Sequence, residues 1–265
     1  IQGIFELAGI PYVGCTPLAS GMCMDKAVTN TIQDAAGIKG AKWVAFTETQ
    51  LEQFRMYYEM LVEKNKVMNL TGITEWEEVL EKHFLDSISL IRAVDLNQTL
   101  TVMDMGTGAG FPGLVLKLAR PDINMTFLDS TKKKLSFIEN VLNECGVKGE
   151  TLHMRAEEAA QLTKYREKYD FATARAVAAL PVLSEYCLPF VKVGGSFVSM
   201  KSAESNEEIS EAKKAINVLG GKIEEDILFD LVENMPRRII RIKKNSQTPT
   251  KYPRPSAQIA KKPLK

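Results

Sequence analysis

From Thr101 onward short apolar runs alternate with amphipathic stretches, and this rhythm constrains the fold more than any other feature of the sequence. Thr101–Met105 is an apolar run closed by Gly106, and Asn124–Leu128, Glu150–Met154, Asp170–Thr173 and Gly195–Met200 repeat the pattern as predicted strands. Between them the spacing predicts helices over Leu114–Ala119, Lys132–Glu144, Glu157–Leu162, Leu180–Phe190 and Glu207–Leu219. Strands interleaved with helices predict an α/β fold, with a mostly parallel sheet covered on both faces. Lys222–Phe229 and Arg238–Ile242 follow as two late strands with no long helix between them, which suits an antiparallel pair.

The chain changes character near residue 47. Ile1–Phe46 is rich in glycine and small residues, with a helix end at Ile1–Ala8, a strand at Gly9–Val13, a helix at Asp25–Ala36 stopped by Gly37, and a strand at Trp43–Phe46. So little apolar content makes a poor core alone. Thr47 and Thr49 are possible N-caps. Leu51, Phe54, Tyr57, Tyr58, Leu61 and Val62 then recur at helical spacing, and a second helix is predicted over Trp76–Ile91. The expected organisation is residues 1–46 as a separate fragment, 47–96 as a helical prelude, 97–245 as the α/β core and 246–265 as a basic tail. The chain opens on Ile1 with no basic stretch before an apolar run, so no signal peptide is expected, and the chain is expected to start inside something longer.

The net charge of +1 hides an uneven distribution. Arg237–Lys265 holds ten Lys or Arg and no acid, whereas Lys201–Met235 holds nine acids and four bases. A basic tail suits an anionic partner, or serves simply as a solubilising end. No apolar run reaches membrane-spanning length, so no membrane partner is expected. Cys15, Cys23, Cys145 and Cys187 form no paired motif and do not cluster with His83 and His153, so neither a disulfide framework nor a metal site is expected. Such cysteine usage suits a reducing, cytoplasmic compartment.

Val102-Met103-Asp104-Met105-Gly106-Thr107-Gly108-Ala109-Gly110-Phe111-Pro112-Gly113 reads as a buried strand, a glycine turn and a helix start. Gly106 and Gly108 permit close backbone approach to a ligand, or serve a tight turn and nothing more. The alternating glycines match neither the GxGxxG dinucleotide loop nor a P-loop. Asp129 closes the next strand, where an acid accepts hydrogen bonds from ribose hydroxyls or caps the following helix. Ala156-Glu157 follows the third strand. Arg175 ends the fourth, facing the same crevice, either to hold a phosphate or base edge or to pair with a surface acid.

With these residues in place, the chain from about Thr47 to Lys265 resembles the RsmG (GidB) family. The resemblance rests on Lys64-Asn65-Lys66-Val67-Met68-Asn69-Leu70-Thr71, His83-Phe84-Leu85-Asp86-Ser87, the Asp104–Gly113 loop, Asp129-Ser130 with Lys133-Lys134, Ala174-Arg175-Ala176-Val177-Ala178, Lys251-Tyr252-Pro253-Arg254 and Lys262-Pro263-Leu264. Two departures stand out: Lys64 where the family often has Trp, and Pro255–Ala260 where it usually has a Gly-Pro-type turn.

The resemblance implies a Rossmann-like methyltransferase fold with a seven-stranded sheet. It implies methyl transfer from S-adenosylmethionine (SAM) to N7 of a guanine in 16S ribosomal RNA, on naked RNA or the small ribosomal subunit, by a monomer. It implies a cofactor site of Asp104, Gly106, Thr107, Gly108, Ala109, Phe111, Asp129, Ser130, Ala156, Glu157 and Arg175, and a catalytic side formed by His83, Asp86 and Arg175. Guanine N7 needs no deprotonation, so the expected task is placement, with Asp86 or Asp104 easing the charge that develops on the purine. RNA contact falls to Lys133, Lys134, Arg237, Arg238, Lys251, Arg254 and Lys262, with Tyr252 stacking on a base. Residues 1–46 resemble instead a fragment of the D-alanine–D-alanine ligase family, carried by Gly9-Ile10-Pro11-Tyr12-Val13-Gly14, Met24-Asp25-Lys26 and Trp43-Val44-Ala45-Phe46. A non-catalytic RNA-binding module with a residual SAM pocket, or a methyltransferase for another substrate, is the alternative.

Overall fold

The computed structural model describes residues 45–95 and 99–264. The chain divides into two compact units, Ile1–Phe46 and Thr47–Lys265. The elements expected before residue 45, with Cys15 and Cys23, lie outside the described residues.

Seven strands form one sheet: β1 Thr101–Met105, β2 Asn124–Asp129, β3 Glu150–His153, β4 Tyr169–Arg175, β5 Val191–Ser202, β6 Gly221–Asp230 and β7 Pro236–Lys244. Their order is β3-β2-β1-β4-β5-β7-β6. The first five run parallel, and β7 is antiparallel to both β5 and β6. This is the mostly parallel sheet expected, with the late pair antiparallel. Strand order reverses between β1 and β4, which opens a crevice beyond their carboxyl ends. Met103, Leu128, Ala172, Phe197 and Ile240 are buried together in the core beneath that crevice.

Helix α1, Glu48–Asn65, starts at a reciprocal capping box between Thr47 and Gln50. It buries Phe54, Tyr57 and Leu61. Gln50 Nε2 donates to the Leu118 and Ala119 carbonyls at 3.0 and 2.8 Å, where the end of helix α3, Gly113–Ala119, leaves acceptors unmet. Tyr57 Oη donates to the Ala109 carbonyl at 2.7 Å. The helical prelude is therefore bonded directly to the glycine loop.

Helix α2 spans 76–92, close to expectation, but is irregular: α-helical at Trp76–Val79 and Asp86–Ile88, a π-helix at Leu80–Leu85, and 3-10 at Ser89–Arg92. The π segment carries His83, and Asp86 follows three residues on, at a spacing that puts the two side chains on one face. Helix α4 is Lys132–Glu144, α5 is only Ala156–Ala159, and α6 is Leu180–Cys187. The helix expected to reach Phe190 tightens at Leu188–Phe190, where Pro189 removes a donor. Helix α7, Asn206–Val218, and the short α8, Ser256–Lys261, complete the order.

Residues 246–265, expected as a tail, are pinned to the core along the part described. Arg166 donates to the carbonyls of Thr248 and Tyr252 at 2.8 and 2.9 Å, and Gln161 to that of Pro253 at 3.0 Å. No helix among the described residues is long and apolar enough to cross a membrane. Cys145 and Cys187 are buried free thiols, and no described cluster of three or more His, Cys, Asp or Glu is arranged for a metal.

Candidate functional site

The glycine turn folds over the end of β2. Gly106 and Thr107 donate their backbone N–H groups to the Leu128 carbonyl at 2.8 and 3.1 Å. Gly106 sits at φ +68°, and a Cβ there would lie 2.7 Å from Val177 Cγ2, so only glycine holds this position without strain. Asp104, fully buried beneath the turn, accepts from Thr107 Oγ1 at 2.5 Å and from the Gly113 N–H at 3.0 Å. A side chain on Gly113 would collide with that carboxyl. Burial raises the Asp104 pKa from its ordinary 3.8 to about 6, against the pull of these two hydrogen bonds.

Asp129 faces the turn. Its Oδ2 accepts from the Gly108 N–H at 3.0 Å and its Oδ1 from the Thr131 N–H at 2.8 Å. Each oxygen keeps a second lone pair. Between Gly106 and Asp129 opens a cavity of about 330 Å³, walled further by Ser130, Ala156, Glu157, Val177 and Tyr186. Arg155 Nε holds the Glu157 carboxylate at 2.7 Å and its Nη2 reaches Ser256 Oγ at 3.1 Å, so the C-terminal segment braces this wall.

A second cavity, about 490 Å³, lies on the other side of Ala176, the residue that lines both. Ala176 takes φ +55°, a conformation a non-glycine residue seldom adopts, and this bend divides the two spaces. His83, Asp86, Arg175, Lys201, Glu208 and Arg237 are among its lining residues. Arg175 Nη1 donates to Asp86 Oδ2 at 2.9 Å, Arg237 Nε to Asp86 Oδ1 at 3.2 Å, and Arg175 Nη2 lies 3.2 Å from His83 Nδ1. The guanidinium of Arg175 also covers the Phe111 ring at 4.9 Å, on which His83 stacks at 4.4 Å. Burial, then the Arg175 charge, lowers the His83 pKa to about 4, so the ring is neutral near pH 7.

The structure sorts the expected site residues. Gly106, Asp129, Ser130, Ala156 and Glu157 line the first cavity, as does Lys134. Asp104, Thr107, Ala109 and Phe111 are buried behind it, supporting the turn, and Gly108 serves it through its bond to Asp129. Arg175 lines the second cavity with His83 and Asp86. Asp86 differs from expectation: both its oxygens are committed to arginines and it is 6% exposed, so it orients two guanidiniums and is no free carboxylate beside a purine.

Of the residues assigned to RNA, Lys133, Lys251 and Lys262 are exposed. Arg237 lies in the second cavity, and Arg238 on its rim is gripped by Asp226 and Asn206. Two assignments require correction. Tyr252 is buried in the core at 7% exposure, with Lys251 Nζ 5.3 Å from its ring, so it offers no stacking face. Arg254 closes on the wholly buried Glu185, where its charge is spent internally. Sequence reasoning gave no site role to Tyr57, Val177, Tyr186, Lys201 or Glu208, because nothing local distinguishes a helix, strand or loop residue whose partners stand far off in sequence.

The sheet order, the antiparallel seventh strand and a glycine turn opposite an acid define a Rossmann-like methyltransferase fold. Comparison with known proteins then gives the family. Residues 50–234 match the family described as GidB, rRNA small subunit methyltransferase G, and the chain belongs to it. It is 49% identical over 217 residues to the ribosomal RNA small subunit methyltransferase G of Lachnoclostridium phytofermentans, covering 81% of this chain and 90% of that protein. The protein of that name from Alkaliphilus oremlandii is 48% identical over 224 residues (84% and 94% covered), and that from Brevibacillus brevis 46% over 236 (88% and 99%). The family match begins at residue 50, so the ligase-like reading of residues 1–46 stands on its sequence resemblance alone.

Proposed function

We propose that this enzyme transfers the methyl group of S-adenosylmethionine to N7 of a guanine in 16S ribosomal RNA, in the cytoplasm where small subunits are assembled. The observation that carries the reading is the pair of cavities meeting at Ala176.

The first cavity fits an adenosyl group. Gly106 lines it with bare backbone packed under Val177, Asp129 lines it with a lone pair left on each oxygen, and Ala156-Glu157 closes the far wall. Gly106 and Asp129 would hold the ribose side, and Ala156 and Glu157 the adenine side. When bound, the group supplies an electrophilic methyl on a positively charged sulfur.

The chain's own residues then have a limited task. Guanine N7 already carries an exposed lone pair, so no side chain must remove a proton before attack. The neutral His83, stacked on Phe111, shapes the second cavity without adding charge. Asp86 fixes Arg175 and Arg237 so that their remaining N–H groups can meet an anionic RNA strand. Placement and exclusion of water account for the rate in this scheme, with no covalent intermediate.

Labelled SAM with undermethylated small subunits or 16S RNA, followed by mapping of the labelled base, tests the proposal. A single guanine labelled at N7 is expected. Absence of transfer to either substrate, with the cofactor bound, overturns it.

A further inference from the structure

We propose that Lys201 and Glu208 together read the Watson–Crick edge of the target guanine and are the specificity-determining residues of the second cavity; this rests on the guanine-N7 reading above. Lys201 lies near the end of β5 and Glu208 in the first turn of α7. Their side chains meet at 2.7 Å and both line the 490 Å³ cavity.

The pair is held in one arrangement from the loop after β4. Lys201 Nζ donates to the Ala178 carbonyl at 2.7 Å as well as to Glu208 Oε2, and Glu208 Oε2 also accepts the Leu180 N–H at 2.9 Å. These anchors belong to the segment whose Ala176 and Val177 wall the first cavity. The reading groups, on β5 and α7, are thus hydrogen-bonded to the loop that also walls the cofactor cavity, which fixes where a base sits relative to the methyl donor.

The unused capacity of the pair has a definite pattern. An ammonium has three donors, and two on Lys201 are committed. Glu208 Oε1 has no hydrogen-bond partner among the described residues, and the side chain remains 36% exposed. One free donor beside one free carboxylate oxygen complements O6, N1–H and the N2 amino group of guanine, which run acceptor, donor, donor. Adenine presents an amino group and a bare N1 at the first two positions, so it would meet the ammonium with a donor and the carboxylate with a lone pair. Met200 and Phe229 supply apolar surface in the same cavity for the ring faces. Holding the base by that edge leaves N7, on the other ring, free to face Ala176.

The substrate itself provides a test independent of any variant. After the methylated guanine is mapped, 16S RNA carrying inosine there, which lacks only the N2 amino group, is compared with the natural RNA. Wild-type kcat/KM is expected to fall about tenfold or more, since the Glu208 carboxylate, covered by the bound base, loses one of the two donors that the guanine edge offers it. Glu208→Gln is expected to lower kcat/KM for the guanine RNA by a similar factor, to shrink the guanine-to-inosine ratio toward one, and to leave the SAM dissociation constant within about twofold by calorimetry. Equal wild-type rates on inosine and guanine overturn the proposal, as does a Glu208→Gln enzyme that keeps the wild-type ratio. If the wild-type enzyme methylates no guanine, the functional reading itself has failed; if it methylates guanine without regard to the N2 group, only the edge reading has.

Discussion

Arg254 grips Glu185 at three points: its backbone N–H and Nε donate to Oε1 at 2.9 and 2.8 Å, and its Nη2 to Oε2 at 2.6 Å. Glu185 is fully buried on α6, while Arg254 lies in the C-terminal segment, so the bond ties the end of the chain to the core. Arg254→Ala strands a buried carboxylate and is expected to cost about 3–5 kcal/mol of stability. Urea unfolding of the two proteins checks this, and a cost under about 1 kcal/mol would show that the pair does not hold the segment.

RNA affinity should divide the basic residues by their internal partners. Lys133, Lys251 and Lys262 are exposed, whereas Arg254 is committed to Glu185. Each lysine→Ala change that removes a phosphate contact is expected to shallow the dependence of log affinity on log salt by about 0.7–0.9. Arg254→Ala, measured where it remains folded, is expected to leave the slope unchanged. Filter binding across a salt series distinguishes the two groups.

Cofactor affinity should depend on the two residues that face each other across the first cavity. Gly106→Val meets Val177 and a positive φ, and Asp129→Ala removes the carboxylate that braces Gly108. Each is expected to weaken SAM binding by roughly 10- to 100-fold, the range for one charge-assisted hydrogen bond. An unchanged dissociation constant for Asp129→Ala, read by calorimetry, would remove Asp129 from the site.

The stability of the ligand-free protein should carry a signature of Asp104. Its folded pKa of about 6 lies above the ordinary 3.8, so the group's contribution is full below the lower value and is lost as pH rises through the upper one. The loss is about 3 kcal/mol, two units at 1.36 kcal/mol each. Asp104→Asn removes this titration, so wild-type stability relative to the variant is expected to decline between about pH 4 and 6. The contribution of His83, whose depressed pKa acts in the opposite direction, is common to both proteins and cancels. A difference that stays flat across that window would show that Asp104 is ionised in the fold.

How far the chain could be read before folding depended on sequence distance. β1, the glycine turn and α3 are consecutive, so apolar spacing and the glycines at 106, 108, 110 and 113 revealed strand, bend and helix together. The boundaries moved where a local rule was overridden: Pro189 tightened the end of one predicted helix, and pairing with β4 at Val191 and with β7 out to Ser202 lengthened β5 to Val191–Ser202. The end of the chain looked like a free basic tail because Glu185, Arg166 and Gln161 stand far from it in sequence.

By itself, then, the sequence determined the α/β rhythm, the place of the bend and the acid one strand over, because those properties reside in neighbouring residues and in the two periodicities of strand and helix. Tertiary structure alone decided that His83 and Asp86 meet Arg175 and Arg237, and that Lys201 stands beside Glu208 and Arg254 beside Glu185. A charge at the surface of an isolated helix or strand carries no mark of its partner. Only the packing of helices and the C-terminal segment on the ordered sheet, set by burial of apolar faces, brings each partner within hydrogen-bonding distance.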